Sequence, residues 1–223
     1  QAQFHRWAVN QNSSSYLTPN LDIDSIGNVY TSTTFLDSIV IDGNVKRMKF
    51  SSSNVAVSKF DQAGKCIWTK IISSEGKRGG LRIYGIRLLS NSELVIYGSF
   101  RNNKTIKFSS KDSILNKDTT SLFSTGFIVR YDSSGTCINY TKVYEGKNIL
   151  GNYSNVGHIE VWNKEVVIHI ETNADSMRLL SKLSSIKILN NSGTNNVLMK
   201  YSYDFDTIRW YQQINVGSLG DID

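Results

Sequence analysis

The sequence predicts an all-β fold, a β-propeller-like array of about three four-stranded antiparallel blades preceded by an orphan N-terminal strand. Three observations predict it. The segment from Lys59, KFDQAGKCIWTK, returns as RYDSSGTCINYTK from Arg130 and, with less fidelity, as KYSYDFDTIRWYQQ from Lys200, at intervals of 71 and then 70 residues. A fixed period of this size marks stacked supersecondary units. Within each unit, apolar residues alternate over short runs bounded by turn residues, which is the pattern of half-buried strands. Aromatic and β-branched residues are abundant, Ser, Asn and Gly supply turns, and Pro19 is the one proline in 223 residues.

Four strands follow in order in each unit. The first covers Leu17–Asp24, Leu81–Leu89 and Val156–Trp162 in the three copies. The second covers Asn28–Phe35, Glu93–Phe100 and Glu165–Thr172. A Ser/Asn/Lys-rich connection comes next and is expected to form an extra hairpin or a mobile loop, since loops tolerate changes of length. The third strand covers Asn54–Phe60, Phe127–Tyr131 and Val197–Tyr201, and the fourth covers Lys65–Ile71, Thr136–Val143 and Thr207–Ile214.

The turn between the third and fourth strands reads Asp61-Gln-Ala-Gly64 and then Asp132-Ser-Ser-Gly135. Asp bonds the backbone two residues on, and Gly accepts positive φ. The third copy, Ser202-Tyr-Asp-Phe205, lacks the glycine, so its turn is expected to differ. One four-stranded sheet cannot cover its own faces, so the units must stack.

These elements divide the chain into an orphan strand (1–10), three repeats (11–72, 73–144 and 145–215) and a tail or start of a further repeat (216–223). Phe4-His-Arg-Trp7-Ala-Val9 reads as a fourth strand on its own, with Trp7 in the place of Trp68 and Trp210. Three units and a stray strand leave the ring incomplete in this chain. That count implies a partner copy, a continuation or an open arc.

The residues Gly27-Asn28-Val29-Tyr30, Phe35, Val55-Ala56-Val57-Ser58-Lys59-Phe60-Asp61 with Gly64, and Ile67-Trp68-Thr69-Lys70 resemble the bacterial β-propeller repeats often labelled SBBP. Units of that family read roughly G-N-x-Y-x-x-G-x-F, then F-V-A-K-Y-D-x-x-G, then L-W-x-K. The second unit matches through Tyr97-Gly98-Ser99-Phe100 and Phe127–Gly135, the third through Val197–Tyr201 and Trp210. Thr33 stands where the family has Gly, and Asn139 near its Trp. The resemblance implies a secreted or cell-surface protein of Bacteroidetes type whose leader has been removed. It carries no catalytic residues to transfer.

Charge and motifs restrict function further. The formal charge is +6, but Lys and Arg are scattered, and the densest groups, Lys46-Arg47 with Lys49 and Lys77-Arg78, are short. Nucleic-acid binding would need a basic stripe with interleaved aromatics, so no nucleic-acid partner is expected. No run approaches the eighteen or so apolar residues of a membrane-spanning helix. The cysteines, Cys66 and Cys137, hold equivalent places in successive repeats, too far apart for the roughly 4.4–6.8 Å Cα separation of a disulfide.

No metalloprotease, nucleophile-elbow or phosphate-loop motif occurs. Asp22-x-Asp24-x-x-Gly27-Asn28 has two of the oxygen ligands of a calcium loop but lacks a third carboxylate and the distal Glu, and reads as a hairpin turn. His169 reads as a strand residue, and His158 with Glu160 as neighbours on one strand face. Glu75–Gly80, with Gly amides and basic side chains, reads as a loop between units. Neither cofactor nor metal is expected.

The chain is therefore expected to be non-enzymatic, a binding or assembly scaffold for other proteins or for further copies of itself. A carbohydrate-binding, lectin-like propeller acting on surface glycans is the alternative, and a propeller hydrolase or lyase a more distant one. Trp162, Tyr203, Trp210 and Tyr211 form the candidate binding surface, because aromatic side chains dominate binding hot spots. Trp7 and Val9 are the candidates for edge pairing.

Overall fold

The structure, a computed structural model, describes residues 20–48, 53–76, 80–89, 92–101, 103–115, 123–147, 154–162, 165–172, 176–189 and 195–215. The orphan strand with Trp7 and Val9, and the tail 216–223, lie outside the described residues. All regular structure among the described residues is antiparallel β.

The first unit comprises β1 (Asn20–Ile23), β2 (Val29–Phe35), the hairpin β3 (Ser38–Ile41) and β4 (Asn44–Arg47), then β5 (Asn54–Phe60) and β6 (Cys66–Gly76). The second runs β7 (Leu81–Leu88), β8 (Leu94–Arg101), the hairpin β9 (Asn103–Lys107) and β10 (Ser113–Leu115), β11 (Phe123–Tyr131) and β12 (Cys137–Lys147). The third runs β13 (Ser154–Trp162), β14 (Glu165–Thr172), the hairpin β15 (Ser176–Leu180) and β16 (Ser185–Leu189), β17 (Asn195–Ser202) and β18 (Ile208–Asn215). In each unit the four main strands form a meander, and the connection between the second and third strands contains a hairpin.

These hairpins do not stay with their own unit. The strand orders are β1-β2-β5-β6-β9-β10, β16-β15-β12-β11-β8-β7 and β13-β14-β17-β18, with β3-β4 a separate pair. The hairpin of the second unit therefore extends the outer edge of the first, and that of the third extends the second. The fourth strands run past their expected ends to make this pairing. Ser73–Gly76 pair with β9, and Tyr144–Lys147 pair with β15. No sheet closes on itself among the described residues.

Turns follow the local chemistry. Asp61 Oδ1 accepts the amides of Ala63 and Lys65, both at 2.9 Å, and Gly64 sits at φ 82°. Asp132 does the same with Ser134 and Thr136, and Gly135 sits at φ 77°. The third-unit turn differs in length, closing from Ser202 N to the Thr207 carbonyl where the first closes from Asp61 to Lys65. It nevertheless keeps the left-handed residue: Phe205 takes φ 57° and its amide bonds the Ser202 carbonyl at 2.9 Å, as Gly64 bonds Asp61. A bulky residue there is strained by about 1–3 kcal/mol, and complete burial of the Phe205 ring holds it in place.

Two cores span the junctions between units, and a third, of Phe35, Ile39, Ile41, Ala56 and Phe60, lies within the first unit, where β3–β4 packs on its own sheet. One cluster joins the first and second units through Tyr30, Val57, Ile96 and Phe127, with Ile106 of the transferred hairpin inserted into it. A second joins the second and third units through Tyr97, Ile128, Ile168 and Met199, with Leu179 of the next transferred hairpin. β2 and β5 are buried along their whole length, one face in the junction with the second unit and the other against Ile39 and Ile41 of their own hairpin. In contrast, β14 alternates, with Val166, Ile168 and Ile170 buried and their neighbours half-exposed. The third unit has one covered face and one open face.

Candidate binding surface

Each junction is closed by a turn of one unit set against the third and fourth strands of the unit before it. At the first junction Trp68 Nε1 donates to the Ser133 carbonyl at 3.0 Å. Gly135 approaches so closely that a Cβ there would lie 2.9 Å from the Trp68 ring, so the glycine serves the packing as well as the turn. Lys59 sits over the Tyr30 ring at 5.0 Å, and Tyr30 meets Trp68 edge to face at 6.1 Å.

The second junction uses Arg130 and Asn139 in the places of Lys59 and Trp68. The Arg130 guanidinium is 8% exposed, donates to the Tyr203 carbonyl at 2.9 Å and to Asp204 Oδ1 at 3.1 Å, and lies 4.2 Å from the centre of the Tyr203 ring. Its Nε lies 3.4 Å from Glu93 Oε2, a Coulombic approach without hydrogen-bond alignment. Tyr203 donates its hydroxyl to the same Glu93 oxygen at 2.8 Å, and Asn139 Nδ2 donates to the Asp204 carbonyl at 2.5 Å. Sequence reasoning did not single out Arg130. The signal was its replacement of Lys59 within the repeat, coupled to the loss of the tryptophan beside it.

The expected aromatic surface therefore separates. Tyr203 belongs to the second junction, where both ring and hydroxyl already have partners. Trp210 and Tyr211 lie on β18, each 43% exposed, and as consecutive strand residues they project from opposite faces. Trp162 ends β13 opposite Glu165, and its side chain lies outside the described residues. On the open face of the third unit, Trp210 stands beside Lys200, which pairs with Glu165. Glu160, Val167, Glu171 and Leu198 share that face by their register with the half-exposed side of β14.

The other sequence candidates resolve into structure. Asp24 Oδ1 accepts the amides of Ile26 at 3.2 Å and Asn28 at 2.8 Å, and Oδ2 accepts Asn28 Nδ2 at 2.8 Å, so its oxygens close a turn. Burial pushes the Asp24 carboxyl up, but the Asn28 and Ile26 hydrogen bonds outweigh it and hold it below its usual value. Asp132 is likewise lowered, with burial opposed by bonds from Ser134 and Thr136. Asp22 Oδ2 accepts the Leu88 amide at 2.8 Å, tying the first strands of neighbouring units.

His169 Nε2 bonds Asn196 Oδ1 at 2.7 Å, and His158 Nε2 meets Glu160 Oε1 at 2.6 Å on the exposed side of β13. Among the described residues no group of three His, Cys, Asp or Glu side chains is placed to hold a metal ion. Cys66 and Cys137 are free thiols; burial, then the charge of Asp112, pushes the Cys137 thiol up to about 12. Glu75 pairs with Lys107 at 2.7 Å, while residues 77–79 of its loop lie outside the described residues. A groove of about 420 Å³ lies between Leu115, Ile138, Tyr140 and Lys182. No helix among the described residues is long and apolar enough to cross a membrane.

No protein-family model matches this chain, and no curated protein matches it.

Proposed function

We propose that the chain is a non-enzymatic extracellular β-propeller module, an SBBP-like set of blades acting as a binding or assembly scaffold for proteins. The observation that carries this reading is the open face of the third unit. It sets apolar Val167, Leu198 and Trp210 among Glu160, Glu171 and the Lys200–Glu165 pair, with Trp210 at the register where Trp68 closes the first junction. A surface of that composition suits protein partners, whose binding energy concentrates in buried aromatic anchors ringed by polar groups. The stacked units supply the rigidity that such a surface needs to bind without an ordering cost.

A lectin-like reading is favoured by the exposed rings of Trp210 and Tyr211, which offer flat apolar faces for sugars. The two readings separate on a surface-glycan array. The scaffold reading predicts no saturable binding to any glycan at chain concentrations up to the millimolar range. Saturable binding that disappears in Trp210→Ala would establish the lectin in its place.

A further inference from the structure

We propose that the open face of the third unit docks the β3–β4 hairpin end of a second copy of this chain, head to tail. This rests on the scaffold reading and names its partner. Two internal contacts provide the template: β9–β10 extends the edge of the first unit, and β15–β16 extends the edge of the second. The third hairpin of the series, β3–β4, has no further strand beside it among the described residues. At the opposite end of the array, Trp210 sits across from Lys200 as Trp68 sits across from Lys59, yet no described turn closes over it.

The charges of the two ends match. On the fully exposed β4, Val45 and Arg47 project from the side of the hairpin away from buried Ile39 and Ile41, and Lys46 from the other. The open face carries Glu160, in contact with His158, and Glu171, with Lys200 paired to Glu165. An acidic face with apolar members thus meets a hairpin side that presents Arg47 beside Val40 and Val45. Complementary charge of this kind fixes orientation and speeds encounter. The contact is heterologous, the same patch never meeting itself, so successive copies form a ring or an open filament.

The test is sedimentation of the full chain over a range of concentration and salt, with two charge-swapped variants. Lys46→Glu/Arg47→Glu places acid on the hairpin, and Glu160→Lys/Glu171→Lys places base on the open face. All four side chains are at or near the surface, and a thermal melt confirms that each variant folds. The wild-type chain is expected to associate reversibly, and more weakly as salt is raised. Each variant alone brings like charges together and sediments as a monomer, while an equimolar mixture of the two restores association, because each new surface then finds its complement. Trp210→Ala is expected to weaken wild-type association by about tenfold or more.

A wild-type chain that stays monomeric throughout overturns the proposal, as do swapped variants that assemble as the wild type does or a mixture that stays monomeric. Those results leave the scaffold reading standing, since that reading falls on the glycan array.

Discussion

Arg130 concentrates more of this fold's polar chemistry than any other described side chain. It holds two acceptors in the third-unit turn, lies against Tyr203 and approaches Glu93, all at 8% exposure. Removing one partner of a buried ionic cluster leaves the rest desolvated and uncompensated. Arg130→Ala is expected to cost about 3 kcal/mol in urea unfolding, and Arg130→Lys to recover only part, since an ammonium lacks the planar fork. A change within about 0.5 kcal/mol, the usual range for a surface substitution, would contradict this role.

Asp24 and Asp132 set a second expectation at the same scale. Their carboxyls are lowered from 3.8 in the fold, so their contribution is complete above that value and is lost as pH falls through the lower folded values. The double substitution Asp24→Asn/Asp132→Asn should lower stability at neutral pH and flatten the acid limb of the stability–pH curve, the difference from the wild type shrinking as pH falls below 3.8. An unaltered acid limb would show that other carboxylates govern it.

At the scale of elements, the transferred hairpins decide how the units join. Ile106 of β9 is fully buried in a core that its own unit shares with Tyr30, Val55, Val57 and Ile72 of the first, and its strand pairs with β6 of that preceding unit. Ile106→Ala should cost about 2–5 kcal/mol, and its effect should reach β6, read as faster amide exchange in Ser73–Gly76. Exchange confined to β9 and β10 would mean that the hairpin is an appendage.

The main strands were legible in the sequence because alternation and Asp-x-x-Gly turns are local signals. The hairpins were only half legible. Alternation in Lys104–Lys107 and Ser185–Leu189 hints at strands, but the edge each one joins is set by contacts far along the chain. Phe205 shows the same limit at a single residue. Its lost glycine predicted a different turn, and the turn is indeed longer. Burial of the ring nevertheless keeps a left-handed residue where local preference alone would not.

The whole molecule follows from these joins. The two larger cores span the junctions, so neighbouring units complete one another, and the open face of the third unit leaves Val167, Leu198 and Trp210 without such a cover among the described residues. The sequence carried the period, the strand count and two of the exposed aromatics, Trp210 and Tyr211. It could not separate Tyr203 from them, because the Arg130 and Glu93 that engage Tyr203 belong to the preceding unit, one on β11 and the other in the turn before β8.

The hairpins passed backward from unit to unit join the units into one body, and native-state hydrogen exchange along the chain in increasing urea reads this out. Amides of β9 and β15 should exchange with the same free energy as those of β5 and β11, and all should merge into one global opening. If β9 and β15 open in a separate low-energy step while β5 and β11 stay protected, the units are independent and the account is wrong.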